Sequence, residues 1–358
     1  VPEASVTPVT STVLVAPDKF RGTATAAEAA GAMARGAGSL GWSVRQMPLA
    51  DGGEGLLEAL GPRAGARRTV EVEGPLGRPV VAGWVQSGRV AVVEMAQASG
   101  LLLAGGAAGN DPLGASTRGT GQLIVAAARS VAAEPSAGGE PATVVVGLGG
   151  SATTDGGWGA LSAVEEAGGL GDVALVGACD VDVGFVDAAP RFGPQKGADP
   201  DQVDELATRL EHLAGQYLDR YGVDVRAVPG AGAAGGLGGA IVVLGGRLRS
   251  GYEVVAELLG FREALAASRA VLTGEGAFDG TSLLGKVVGS VLDDAAAAGV
   301  PVVIVAGTVA PEAAEAAAAA GATVISLVER YGRERALGDT ARCIEEAAAE
   351  GLATLGAP

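Results

Sequence analysis

The chain repeats one pattern: a short apolar run, a glycine-rich turn, then a longer stretch in which alanine and other apolar residues recur at helical spacing. Thr12-Val-Leu-Val-Ala16 has the length of a buried strand, and Thr25-Ala-Ala-Glu28 supplies a capping box for an alanine-rich helix running to about Gly36. Near the other end, Ala270-Val-Leu-Thr273 precedes a Gly274-Glu-Gly276 loop. Val302-Val-Ile-Val305 precedes an alanine helix over 313–320, and Thr323-Val-Ile-Ser-Leu-Val328 follows it. Alternating strand and helix signals predict an α/β fold with a mainly parallel sheet covered by helices. Lys19 and Arg21 then lie on a strand-to-helix loop, the end of an open sheet where ligands bind.

The middle reads differently. Arg89-Val-Ala-Val-Val-Glu-Met95, Ala142-Thr-Val-Val-Val146 and Ala174-Leu-Val-Gly-Ala178 alternate with long glycine loops. We expect a second α/β domain, residues 70–249, inserted between the halves of a first domain formed by 1–69 and 250–358, with the active site in the cleft between them. The crossings are placed near Gly65-Ala-Arg-Arg68 and Gly245-Gly-Arg-Leu-Arg249, and Ala132 to Pro141 has the composition of a surface loop. A mean hydropathy of +0.34 invites a membrane reading. That reading fails because apolar runs such as Val300-Pro-Val-Val-Ile-Val-Ala306 are only strand length and end in Gly, Pro or Glu.

Composition narrows the chemistry. The single histidine, His212, sits in a helical stretch, so Ser-His-Asp, Cys-His and multi-histidine metal sites are excluded and base work falls to Asp or Glu. A net charge of −16 argues against nucleic-acid or anionic-membrane partners. Cys179 and Cys343 match neither zinc spacing nor a disulfide scaffold, and Val1-Pro-Glu-Ala-Ser-Val-Thr-Pro carries no basic leader, so a reducing cytoplasm is expected. A small-molecule substrate is the expected partner, and a homo-oligomer is compatible with this composition.

Three glycine loops compete for a nucleotide. Gly230-Ala-Gly-Ala-Ala-Gly235 satisfies the dinucleotide pattern but lacks a clean strand before it. Gly280-Thr-Ser-Leu-Leu-Gly-Lys286 has phosphate-loop spacing, with Val287 where Ser or Thr should hold magnesium. Gly147-Leu-Gly-Gly-Ser-Ala-Thr-Thr-Asp-Gly-Gly157 is the strongest. It follows a strand and precedes a helix, where successive backbone N–H groups can cradle phosphate, and Asp155 would face phosphate or metal. The only lysines, Lys19, Lys196 and Lys286, all stand beside glycine-rich segments. Acids follow the same rule in Asp51-Gly-Gly-Glu-Gly55, Cys179-Asp-Val-Asp182, Glu275 and Asp279. Such carboxylates suit a magnesium nucleotide and a base for a hydroxyl proton.

Taken in order, Ala16 to Gly22, Ala50 to Gly55, Glu94 to Leu101, Thr117-Arg-Gly-Thr-Gly-Gln122, Gly149 to Asp155, Phe192 to Ala198, Pro229 to Gly236 and Gly274 to Lys286 resemble the bacterial type I glycerate kinase family. The resemblance implies a two-domain protein with one flavodoxin-like domain that uses ATP and Mg2+ to phosphorylate D-glycerate, typically on the 2-hydroxyl. On that reading Gly149, Gly150, Ser151 and Thr153 hold ATP phosphates, with Asp155 near metal or phosphate. Lys19, Arg21, Lys196 and Lys286 neutralise charge on phosphate or substrate. Asp51 and Asp180 are candidates for base or magnesium ligand, and Glu275 and Asp279 orient the acceptor. The sequence departs from the family at Val183, Gly184 and Phe185, and again at Ala277, Phe278, Asp279, Thr281 and Ser282. These departures keep alive a kinase re-specified for another hydroxy acid or a polyol. An inactive metabolite-binding protein and a nucleotide-dependent oxidoreductase using Gly230 to Gly235 are the alternatives from other classes.

Overall fold

The computed structural model describes residues 11–53, 55–61, 65–136 and 139–358. The opening segment 1–10, Glu54 and residues 137–138 of the expected surface loop lie outside the described residues. The strands, in chain order, are β1 (Thr12–Val15), β2 (Ser43–Gln46), β3 (Ala66–Glu73), β4 (Pro79–Ser87), β5 (Val90–Glu94), β6 (Thr143–Gly147), β7 (Ala174–Ala178), β8 (Arg247–Arg249), β9 (Ala270–Phe278), β10 (Val302–Val309) and β11 (Thr323–Ser326). They form two sheets in two compact units, one of the described residues up to 50 with 256–358 and the other of the described residues between 51 and 255.

The discontinuous unit contains a five-stranded sheet in the order β11-β10-β9-β1-β2, with every pair parallel. Counted within the unit, this is the flavodoxin-like order 2-1-3-4-5, whose switch point lies between β1 and β9. The helix Ala26–Ser39 begins with the expected capping box, Thr25 accepting from the Glu28 amide and Glu28 from the Thr25 amide. Its Gly36 meets the Glu345 carbonyl and Ala348 of the C-terminal helix Thr340–Ala353, an approach that a Cβ would block. Val13, Val15, Met33, Leu272, Val303, Val305 and Ile344 form the core between sheet and helices.

The continuous unit contains a six-stranded sheet, β3-β4-β5-β6-β7-β8. Its β3-β4-β5 part is antiparallel and its β5-β6-β7-β8 part parallel. The helix Arg118–Ala132 packs on one face through Leu123, Ile124, Ala127 and Val131. Tyr217 from the long helix Pro200–Tyr221 lies fully buried beside Phe185, with ring centroids 5.9 Å apart.

Three expectations change. Residues 51–69, placed by sequence in the first domain, belong to the continuous unit, because Leu56 and Leu57 are buried there and the Leu57 amide donates to Glu94 at the end of β5. Residues 250–255 join it too, since the Gly251 amide donates to Asp180. Gly274-Glu-Gly276 is strand rather than loop: β9 keeps pairing with β10 as far as Phe278 opposite Val309. As its sequence suggests, no strand feeds the dinucleotide-like Gly230–Gly235 segment. A 3-10 turn, Val225–Ala227, precedes it, and Ala234, Gly235 and Gly236 adopt left-handed backbone angles. A phosphate-binding helix start needs regular backbone at that position, which argues against the oxidoreductase reading.

Candidate active site

In the continuous unit β6 ends at Gly147 and the chain crosses to the helix Trp158–Glu166 through the segment 148–157. Neighbouring backbone ties this crossing down. Leu148 donates to Ala178 at 3.1 Å, Leu101 donates to the Gly150 carbonyl at 2.8 Å, and Ala152 donates to Ser99 at 3.0 Å. The N–H groups of Gly149, Gly150 and Ser151 find no acceptor among the described residues. Gly149 and Gly150 are partly or fully open to solvent, so this short run offers donors without side chains in the way.

Asp155 is tied into the protein itself. Its Oδ2 accepts from the Thr117 amide and hydroxyl, both at 2.8 Å, and from Gly159 at 3.3 Å, while Oδ1 accepts from Gly157 at 3.1 Å. Burial raises its pKa, and these four bonds oppose the rise. Lys196 approaches the same crossing from the 3-10 turn Pro194–Lys196. It is 2% exposed, and its Nζ donates to the Thr153 carbonyl at 2.6 Å. Burial lowers the Lys196 pKa to about 7, against the pull of Asp155. Asn110 adds a clasp, donating through Nδ2 to the carbonyls of Ala152 and Lys196. Asn110 Oδ1 and the hydroxyl of fully buried Thr153 have no partner among the described residues.

The Gly230–Gly235 segment has a supporting role here. Gly156 donates to the Gly235 carbonyl at 2.9 Å, and Gly235 lies so close to the Thr153 carbonyl and Thr154 that any Cβ would collide with backbone. Phe185, one of the departures from the family pattern, is fully buried against Tyr217, Gly156 and Gly239. Its ring fills the core of the unit.

At the end of β7, Asp180 accepts from the Gly251 amide at 2.8 Å, at the start of the helix Gly251–Leu259. Its Oδ2 is buried without a partner among the described residues. Burial raises Asp180 to about 6, Asp51 raises it further, and hydrogen bonds from Ser250, Gly251 and Tyr252 oppose the shift. Asp51 and Asp180 are therefore neighbouring carboxylates with one oxygen unspent.

In the discontinuous unit, Glu275, Asp279 and Lys286 come together. Thr273 donates to the Ala16 carbonyl at 2.8 Å and Asp18 to the Gly274 carbonyl at 2.9 Å, so the β1 exit loop is laced to β9 at the switch point. Burial raises Glu275 to about 7; Ser282 and Lys286 oppose this, and Asp18 and Asp279 add to it. Its Oε1 is buried without a partner among the described residues. Asp279 accepts from Thr281, which holds its pKa below the usual range, and Lys286 Nζ donates to the Thr281 hydroxyl at 3.0 Å. Lys286 stands at the N-cap of the helix Val287–Ala298. Lys19 is partly buried beside Asp18, whose Oδ1 accepts the Lys19 amide at 2.7 Å, and Arg21 is exposed.

The site residues thus fall into two groups in the continuous unit, Gly149–Asp155 with Lys196 and Asp51 with Asp180, and one group in the discontinuous unit. Sequence reasoning missed Asp18, Asn110 and Thr117. Asp18 and Thr117 stand inside quoted motifs, but their tasks depend on partners more than 30 residues away, as Thr117 does on Asp155. Asn110 has no local signal at all. His212 is exposed on the helix Pro200–Tyr221 and pairs with Gln216.

A family model described as the glycerate kinase family matches residues 13–167 and 165–355. An uncharacterized protein of Mycobacterium bovis is 41% identical over 360 residues, covering 96% of this chain and 91% of its own. The glycerate 2-kinase of Escherichia coli K12 is 38% identical over 333 residues, covering 83% of this chain and 85% of its own. The crystal structure of a Salmonella typhimurium LT2 protein with the provisional name glycerate kinase 2 superposes with a TM-score of 0.75 at 31% identity. That match covers 96% of this chain and 98% of that one.

Proposed function

The chain belongs to the glycerate kinase family, and from that premise we propose that it transfers the γ-phosphoryl group of ATP to the 2-hydroxyl of D-glycerate, giving 2-phosphoglycerate and ADP. The observation that carries this reading is the crossing after β6. Donors with no acceptor among the described residues stand at Gly149, Gly150 and Ser151, and the loop bearing them is fixed by Lys196, Asn110 and Asp155. Phosphoryl transfer depends mainly on positioning and charge, so a rigid set of backbone donors is what the reaction asks of a protein.

In this assignment the backbone of Gly149–Ser151 binds ATP phosphates. Lys196 and Asp155 hold the loop rather than the ligand, since Lys196 spends its ammonium on Thr153 and Asp155 its carboxylate on Thr117, Gly157 and Gly159. Lys19, Arg21 and Lys286 supply positive charge for the anionic substrate, and Glu275 and Asp279 orient its hydroxyls.

Magnesium fits Asp51 and Asp180. No group of three or more His, Cys, Asp or Glu among the described residues is arranged to hold a metal. A magnesium that keeps its waters and rests mainly on phosphate needs only one or two carboxylates, and the unpartnered Oδ2 of Asp180 beside Asp51 meets that need. When bound, the ion would neutralise charge developing on the phosphates.

No described helix is long and apolar enough to cross a membrane. The thiols of Cys179 and Cys343 are free, in keeping with the reducing cytoplasm we assign.

The test is ADP release from Mg-ATP across D-glycerate, L-glycerate, larger hydroxy acids and uncharged polyols, with the phosphorylated position assigned by NMR. Turnover with D-glycerate and phosphate on the 2-hydroxyl is the expected result. Turnover confined to another acceptor would overturn the substrate, and none with any acceptor would overturn the kinase.

A further inference from the structure

We propose that Glu275 is the general base that accepts the proton of the acceptor hydroxyl, an assignment that rests on the kinase reading above. Glu275 is near the C-terminal end of β9, beside β1, where the strand order of the five-stranded sheet reverses. Helices that leave neighbouring strands toward opposite faces open a crevice at such a point, and ligands of open α/β sheets bind there. The β1 exit loop reaches this position because Ala16 and Asp18 donate to Leu272 and Gly274 at 2.7 and 2.9 Å.

The chemistry of the position fits proton acceptance. Glu275 Oε1 is buried and accepts no hydrogen bond among the described residues, while the residue as a whole is partly exposed, so the carboxyl keeps a lone pair that no described protein donor takes up. The charged groups that act on it most strongly sit at the same end of the sheet. Asp18 comes from the loop leaving β1, Asp279 and Lys286 from the segment after β9, and the β10 neighbour in register is the apolar Ala306. Burial and the two acids raise its proton affinity, while Lys286 and Ser282 keep the carboxylate within reach at neutral pH. Asp51 and Asp180 are less suited, since as neighbouring carboxylates they match a cation better than a neutral hydroxyl. Asp279 accepts both the amide and the hydroxyl of Thr281, so its Oδ1 is already engaged.

In the step itself, the O–H bond of the acceptor breaks and its proton passes to the Glu275 carboxylate. A lone pair of that oxygen forms the new bond to the γ-phosphorus of ATP. The bond from γ-phosphorus to the bridging oxygen breaks, and its electrons leave on the β-phosphate of ADP. Glu275 then returns the proton to water.

The experiment measures ADP release at saturating Mg-ATP over a pH series, comparing the parent enzyme with Glu275→Gln and Glu275→Asp. In the parent, kcat/KM for D-glycerate should rise through an ionisation near 7, the value to which Glu275 is raised. Glu275→Gln should lower kcat by about 10²- to 10⁴-fold, leave ATP binding by calorimetry within about threefold, and abolish the rise. Glu275→Asp, which keeps the carboxylate, should regain part of kcat and keep the rise. A Glu275→Gln enzyme within a few fold of the parent, or one whose residual rate keeps the same rise, would overturn the proposal. If that variant does not fold, a parent profile flat from about pH 6 to 8 overturns it instead. A parent that binds ATP but gives no glycerate-dependent ADP would sink the kinase reading, which is a separate result.

Discussion

Lys196 Nζ lies 2.6 Å from the carbonyl oxygen of Thr153, and both residues are almost wholly buried. A lysine placed there costs desolvation, and its pKa near 7 records that cost. In exchange the Thr153 carbonyl, inside the loop that carries the open amides, has a fixed partner. Replacing Lys196 with Met keeps much of the volume but leaves that carbonyl unsatisfied, a loss of about 1–3 kcal/mol. ATP affinity of Lys196→Met should fall about tenfold or more by calorimetry, with near-normal far-UV circular dichroism.

The same residue sets a pH dependence of stability. Its pKa falls from 10.5 unfolded to about 7 folded, so between those values the folded state binds fewer protons than the unfolded one. The cost is complete below about pH 7 and is relieved as pH rises toward 10.5. Denaturation midpoints of the parent should therefore carry an upward contribution across that window, and Lys196→Met should lack it. Identical pH profiles for the two proteins would contradict this.

Asp155 gathers four donors from three residues, and an amide cannot accept them all with equal strength. Asp155→Asn should lose about 1–3 kcal/mol in urea unfolding. It should also weaken ATP binding, although the carboxylate itself faces the protein.

Gly235 has φ of +69° and no room for a Cβ beside Thr153 and Thr154. Gly235→Ala should displace the segment 148–157, with at least about 1–3 kcal/mol lost through backbone strain and overpacking. Thermal unfolding and ATP binding read the two consequences. Gly38, exposed in the helix Ala26–Ser39 with nothing within 4 Å, is the control: Gly38→Ala should leave ATP binding within error and raise rather than lower the unfolding temperature.

For magnesium, Asp180→Asn should raise the metal concentration needed for half-maximal rate by about tenfold or more, at fixed ATP. Far-UV circular dichroism should stay unchanged because an amide oxygen can still accept from Gly251. An unchanged magnesium requirement would remove Asp180 from the metal site.

Much of this protein is written in local patterns. Apolar runs of strand length, the Thr25–Glu28 capping box and the alternation of strand with helix determined the α/β class and the core strands β1, β5, β6, β7, β9, β10 and β11. The polar-looking strands β2, β3 and β8 and the hairpin partner β4 escaped notice. In β3 only Val72 is buried and β2 is largely exposed, so neither carries the apolar run that marks a core strand.

The sequence by itself singled out the glycine loop 147–157, the three lysines, and the acids at 51, 180, 275 and 279. Residue type beside glycine-rich segments suffices for that, because such segments are where a backbone can approach a ligand. Tertiary structure alone decided what each of them does. Lys196 and Asp155 turned inward to hold the loop, Gly230–Gly235 became its support, Phe185 went into the core, and Glu275 was left with an unspent oxygen beside Asp18. Such roles depend on burial and on hydrogen-bond partners that are distant along the chain, and burial sets both a side chain's charge and its freedom to meet a ligand.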